Sequence, residues 1–228
     1  MRLLAVLATV FLTAPALAYQ PGEVILRGGV ATVSPDASSS PLSLNGAELG
    51  GTAADVDDGS ALGLTATWML SNRWGVELVA ASPFTHDLSV SGLGDELKLG
   101  EATHLPPTLL LQYYPNVPFA DVQPYFGLGL NYTVFFEEEV SAEANSFFVD
   151  ALEATGGADI ALDDSVGLAA EMGVDFAFGA DKRWLLNLAV WWMDIDTEAE
   201  VKVPGVGTIT ADVEVDPLVY MAGLGYRF

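Results

Sequence analysis

Beyond residue 18 the chain alternates apolar with small or polar positions at a period of two. Across 60–70, Leu62, Leu64, Ala66, Trp68 and Leu70 share one face, and Gly63, Thr65, Thr67 and Met69 the other. Across 123–136, Phe126, Leu128, Leu130, Tyr132 and Val134 oppose Tyr125, Gly127, Gly129, Asn131 and Thr133. Across 165–178, Val166, Leu168, Ala170, Met172, Val174 and Phe176 oppose Gly167, Ala169, Glu171, Gly173 and Asp175. Apolar-out, small-or-polar-in alternation over about ten residues is the pattern of strands crossing a membrane in a closed barrel. A soluble β-sandwich would show the same alternation in any one segment, its apolar face turned to a core.

Eight such segments are expected, at 23–33, 60–70, 74–84, 104–114, 123–136, 165–178, 184–195 and 213–228. The connections 71–73 and 179–183 are tight and 115–122 is moderate, whereas 34–59, 85–103, 137–164 and 196–212 read as long loops. Short periplasmic turns alternating with long outer loops are usual for exported barrels, and an even strand number puts both termini on the short-turn side. The predicted fold is therefore all-β: an eight-stranded antiparallel transmembrane barrel, occupying residues 19–228 as one domain.

The ends agree with it. Met1 and Arg2 precede an apolar run from Leu3 to Leu12, and Ala16-Leu17-Ala18 supplies small residues at a cleavage site. This reads as a secretory signal peptide over 1–18, with an apolar core too short to span a bilayer. Leu218, Tyr220, Ala222, Leu224, Tyr226 and Phe228 alternate up to an aromatic C-terminus, the pattern such barrels present to the barrel-assembly machinery. Localisation in the outer membrane of a Gram-negative bacterium follows. Trp68, Trp74, Trp184 and Trp192 read as interface-belt anchors.

Composition sharpens the picture. The chain is 51% hydrophobic, with mean hydropathy +0.37, yet carries a formal charge of −23. After residue 18 it has no apolar run of about 20 residues, the length a membrane helix needs. In lipid, only a closed barrel satisfies backbone polar groups without helices. There is no cysteine, hence no disulfide and no thiolate metal site or nucleophile. Most acidic residues, among them Asp55, Asp57, Asp58, Glu137, Glu138, Glu139, Asp163, Asp164, Glu198 and Glu200, fall in or beside the long loops, while Arg73, Lys182 and Arg183 sit in short turns. Acidic loops suit divalent cations shared with lipopolysaccharide phosphates, or form only a solvated rim. A chain this acidic repels nucleic acid.

Strand parity assigns the lumen. On 74–84 the inward set is Gly75, Glu77, Val79 and Ala81; on 104–114 it is Thr108, Leu110, Gln112 and Tyr114; on 184–195 it is Leu185, Asn187, Ala189, Trp191, Met193 and Ile195. An eight-stranded interior holds side chains or one small ligand. Val79, Leu110, Trp191, Met193 and Ile195 are thus expected to line an apolar passage toward the outer end. Glu77, Glu171 and Asp175, with Arg27 and Arg227 on the first and last strands, are expected to form a charge network in the periplasmic half, because buried carboxylates need partners. Such a plug suits either a gated or laterally opening channel or a purely structural barrel. His86 and His104 lie at outer strand ends near Thr85, Asp87 and Thr103, and nothing places a nucleophile beside them. No catalytic residue, cofactor or metal site is assigned, and the chain is not read as an enzyme.

Several blocks resemble the OmpW family of small outer-membrane barrels. They are RGGVATV at 27–33 with Pro35, LGLTATWM at 62–69, GVELVAASPFTH at 75–86, HLPPTLLLQYY at 104–114, QPYFGLGLNYTVFF at 123–136, WLLNLAVWWMDIDT at 184–197 and DPLVYMAGLGYRF at 216–228. The resemblance implies an eight-stranded barrel with a narrow, largely apolar channel, linked to uptake of small hydrophobic molecules, with Val79 and Trp191 in blocks that narrow it. Some members act as surface receptors for bacteriocins, but the loops here, 137–164 above all, match no fixed pattern. Outer-membrane lipids and lipopolysaccharide are the expected surroundings.

Overall fold

The computed structural model describes residues 19–94, 96–118 and 121–228; the expected signal peptide lies outside them. In chain order the first strands are β1 (Val24–Ser34), β2 (Ser38–Ser39), β3 (Ser43–Leu44), β4 (Ala47–Glu48), β5 (Ala53–Val56), β6 (Gly59–Met69) and β7 (Trp74–Ala81). Next come β8 (Phe84–Ser91), β9 (Leu97–Leu105), β10 (Thr108–Tyr113), β11 (Val122–Val140) and the helix α1 (Ala142–Leu152). The chain ends with β12 (Asp159–Leu162), β13 (Ser165–Phe178), β14 (Trp184–Met193), β15 (Asp196–Val203), β16 (Gly207–Glu214) and β17 (Leu218–Arg227).

Eight of these strands close a barrel in the order β1, β6, β7, β10, β11, β13, β14, β17 and back to β1, every pair antiparallel. Closure removes every edge strand from the lipid zone. At the β1–β17 seam Gly29 faces Gly223. A Cβ on Gly29 would run into the Ala222 carbonyl, so this close approach tolerates only glycine.

Alternation decides which side chains face lipid. Leu62, Leu64, Leu78, Leu109, Leu128, Leu130, Val166 and Leu168 are exposed on the outer surface, while their neighbours one residue away are buried or half-buried. Near the short turns Trp74 packs on Tyr113, and Trp184 on Phe178 and Tyr226, forming an aromatic girdle. Trp192, paired with Leu218, stands at the opposite end of the wall.

The segments expected as long loops are folded. Strands β12, β15, β16, β3, β4 and β2 build a second, six-stranded sheet, and β9, β8 and β5 extend the barrel sheet from the outer part of β11. The reason is a further period-two pattern: Thr197, Val201 and Val203, then Ile209, Ala211 and Val213, are buried, while Glu198, Lys202, Asp212 and Glu214 face out. In 137–164, Ser141 caps α1 by accepting from the Ala144 N–H at 2.9 Å, and Ala144 and Phe148 bury its inner face. The 104–114 segment breaks at Pro106-Pro107 and the 213–228 segment at Pro217, since proline cannot donate to the ladder.

Candidate functional site

The barrel interior is stratified. Nearest the short turns, Tyr19, Ile25, Met69, Tyr114, Tyr125 and Leu185 form a closed apolar and aromatic floor. Above it Arg27 donates from Nε and Nη2 to Asp175 at 3.0 and 2.6 Å, and from Nη1 to Glu77 at 3.0 Å and Thr67 at 2.8 Å. Thr67 in turn donates to Glu77 at 2.6 Å, and Asn187 to Asp175 at 2.9 Å. The guanidinium also lies 4.8 Å from the Tyr125 ring centroid. Glu171 accepts from Gln112 at 2.7 Å, and Gln112 accepts from the Tyr114 hydroxyl at 2.6 Å. Arg27, Glu77 and Asp175 are at most 2% exposed, so among the described residues no water-filled bore runs past them.

Arg227, expected in the same network, stands apart from it. It lies opposite Ile25, two residues nearer the short turns than Arg27, and pairs there with Glu23 at 2.9 Å while covering the Tyr19 ring. Tyr19, whose hydroxyl reaches Asp175, is the member that the sequence does not reveal, because it precedes every alternating segment. Thr67, Gln112, Tyr114 and Asn187 are legible as inward-facing by parity, but their role as bridges depends on distances between strands.

Directly above the ionic layer the chemistry changes. Trp191 is paired with Glu171 across β13 and β14, and is 1% exposed. With Ala31, Val79, Phe84, Met193 and Met221 it lines a cavity of about 20 Å³. Leu110 and Ile195 are buried in the same core without lining that cavity. Its wall includes Leu64, Ala80 and Pro106, and Leu64 also faces lipid. Here the β7–β10 ladder ends at Val79–Thr108 and resumes only at Phe84–His104 of β8–β9. The gap holds Pro83, Pro106 and Pro107, none of which has an N–H to donate.

Beyond the lipid-facing belt, two more cavities follow. One of about 50 Å³ is lined by His86, His104, Phe135 and the inner faces of β5, β8, β9, β15 and β16. The next, about 200 Å³, is entirely apolar and lies between α1 and the outer sheets, with Leu99 common to both. Burial and the neighbouring His86 push His104 down to about 3. The histidines are thus interior groups rather than residues of the membrane interface.

The outer rim is acidic. Asp163, Asp164, Asp196, Glu198, Asp212 and Glu214 line an open groove, and the carboxylates of Asp194, Asp196 and Asp216 lie within 4.8 Å of one another. Partial burial, with Asp194, Asp216 and Glu214 nearby, raises Asp196 above the usual carboxylate range.

A closed eight-stranded wall, an apolar outer belt and an aromatic girdle define a small outer-membrane β-barrel. The chain belongs to the OmpW family, whose sequence profile matches residues 20–228. It is 39% identical over 227 residues to outer membrane protein W of Vibrio cholerae, covering 99% of this chain and 97% of that one. The crystal structure of outer membrane protein OprG from Pseudomonas aeruginosa superposes with a TM-score of 0.84 at 47% identity, over 93% of this chain and 98% of that one. A more distant relative, the dibenzothiophene metabolism operon protein PahQ of Pseudomonas aeruginosa, is 29% identical over 203 residues, or 89% of this chain and 87% of its own.

Proposed function

We propose that this barrel conducts small hydrophobic molecules from the outer face into the membrane, through the apolar upper half of its interior. The carrying observation is the succession of three largely apolar cavities that ends at the proline-flanked gap in the wall, directly above a sealed ionic layer. A solute that reaches Trp191 meets closed polar packing below and lipid-facing Leu64 beside it. Sideways exit between β7 and β10 desolvates no charge, whereas passage downward breaks buried ion pairs. Val79, Trp191 and Met193 set the width of the last chamber. A relative named for dibenzothiophene metabolism fits this reading, since that compound is an apolar aromatic.

Uptake of an apolar solute into proteoliposomes tests it. The expected result is entry faster than into empty vesicles, altered several-fold by Trp191→Ala. Equal rates in both vesicles, and no effect of Trp191→Ala, would defeat the proposal.

A further inference from the structure

Four rings pack between the 50 Å³ cavity and the lumenal chamber: His86, His104 and Phe135 line the former and Phe84 the latter. The two imidazoles are 4.9 Å apart, and their residues are 3% and 6% exposed. His86 Nδ1 lies 2.6 Å from the Asp57 carbonyl oxygen. A carbonyl only accepts, so Nδ1 carries the proton and Nε2 is left as a bare acceptor. That Nε2 has no partner, and neither does Nε2 of His104. Two buried, unpartnered ring nitrogens, in a lining whose other polar members are Asp55, Ser89 and Thr197, are costly unless something else meets them.

The neighbouring volumes complete the argument. The cavity at the histidines has room for a polar head group, and the 200 Å³ cavity reached past Leu99 is wholly apolar and has room for an alkyl tail. We infer that His86 and His104 read the hydroxyl of an amphiphilic solute, a medium-chain alcohol whose tail lies in the apolar cavity beneath α1. The inference rests on the conduit reading above and names the solute class that the passage selects. The hydroxyl donates to a histidine Nε2, which a hydrocarbon of equal length cannot do. Burial keeps His104 neutral, so the site offers the bare His86 Nε2 acceptor and an uncharged second imidazole rather than positive charge.

Nuclear magnetic resonance of the whole barrel in lipid vesicles, with 15N-histidine and labelled leucine methyls, distinguishes the outcomes. The probes are 1-octanol and n-nonane, in which a methyl replaces the hydroxyl. Octanol is expected to shift both Nε2 resonances together with the methyls of Leu42 and Leu152, and nonane the methyls alone, with about tenfold weaker binding. The double substitution His86→Phe and His104→Phe should bring the two affinities within about twofold of each other. Nε2 resonances that stay still at saturating octanol would overturn the inference, and so would a preference that survives the double substitution. Should octanol move both Nε2 resonances while proteoliposomes show no solute uptake, the hydroxyl site stands and the conduit reading falls.

Discussion

The two halves of the barrel interior are built by the same strands at the same parity, yet they are packed by opposite rules. Strand β14 shows the contrast within one element. Its lower residues Leu185 and Asn187 enter the floor and the ionic layer, while Trp191 and Met193 border a void two turns of the pleat higher. In the lower half one guanidinium holds two carboxylates and a threonine, and little room remains. The upper half leaves cavities and a broken ladder, while unpartnered polar atoms occur in both halves, on Glu77, Glu171 and Asn187 below and on Trp191, His86 and His104 above. Dense, bonded packing resists penetration by water, whereas loosely filled apolar packing can be entered by a guest. The proposed conduit depends on this difference, with the axis shut below Trp191 and the exit placed at the side.

The contrast breaks most severely at Arg27. Arg27→Met leaves Glu77 and Asp175 buried without a counter-charge and should destabilise the barrel by about 3–5 kcal/mol, read as a lower midpoint in detergent–urea unfolding. Replacing Glu77 and Asp175 with leucine in the same chain should restore most of that loss. In the upper half, Trp191→Ala should cost about 3 kcal/mol by enlarging the chamber, while solute uptake changes in the same protein. A variant that loses stability with uptake untouched would separate Trp191 from the passage. Smaller still is Ser141→Ala, which removes the cap of α1 and should cost about 1 kcal/mol locally, seen as faster amide exchange over 142–152 alone.

The mildest effect is that of pH on the outer layer, where His104 lies beyond the lipid-facing belt. Its folded value is about 3, below the ordinary 6.5. The unfolded form therefore binds more protons between these values, and stability is whole above pH 6.5 and falls as pH drops toward 3. Amide exchange in β8 and β9, corrected for its intrinsic rate, should quicken between pH 7 and pH 4, and His104→Leu should flatten that dependence.

The barrel was legible because lipid on one side and a narrow lumen on the other impose a period of two on every strand, so Glu77, Asp175 and Trp191 declare their direction locally. The 196–214 hairpin carries the same signal in Val201, Val203, Ile209 and Val213, but the interleaved Glu198, Glu200, Asp212 and Glu214 make it read as an acidic loop. Arg227 shows the limit of parity: it names a face but not a height, and here height decides that the partner is Glu23. His86 and His104 look like strand-end residues until β5, β15 and β16 close over them.

Local alternation by itself determined that this is an eight-stranded outer-membrane barrel, since it is a property of neighbouring residues in a fixed solvent. Tertiary structure alone decided which inward residues touch. Arg27 reaches Asp175 across 148 positions of chain, and Nε2 of His86 and of His104 are buried with no partner among the described residues. Such contacts are set by distances between strands, and those arise only when the sheet closes.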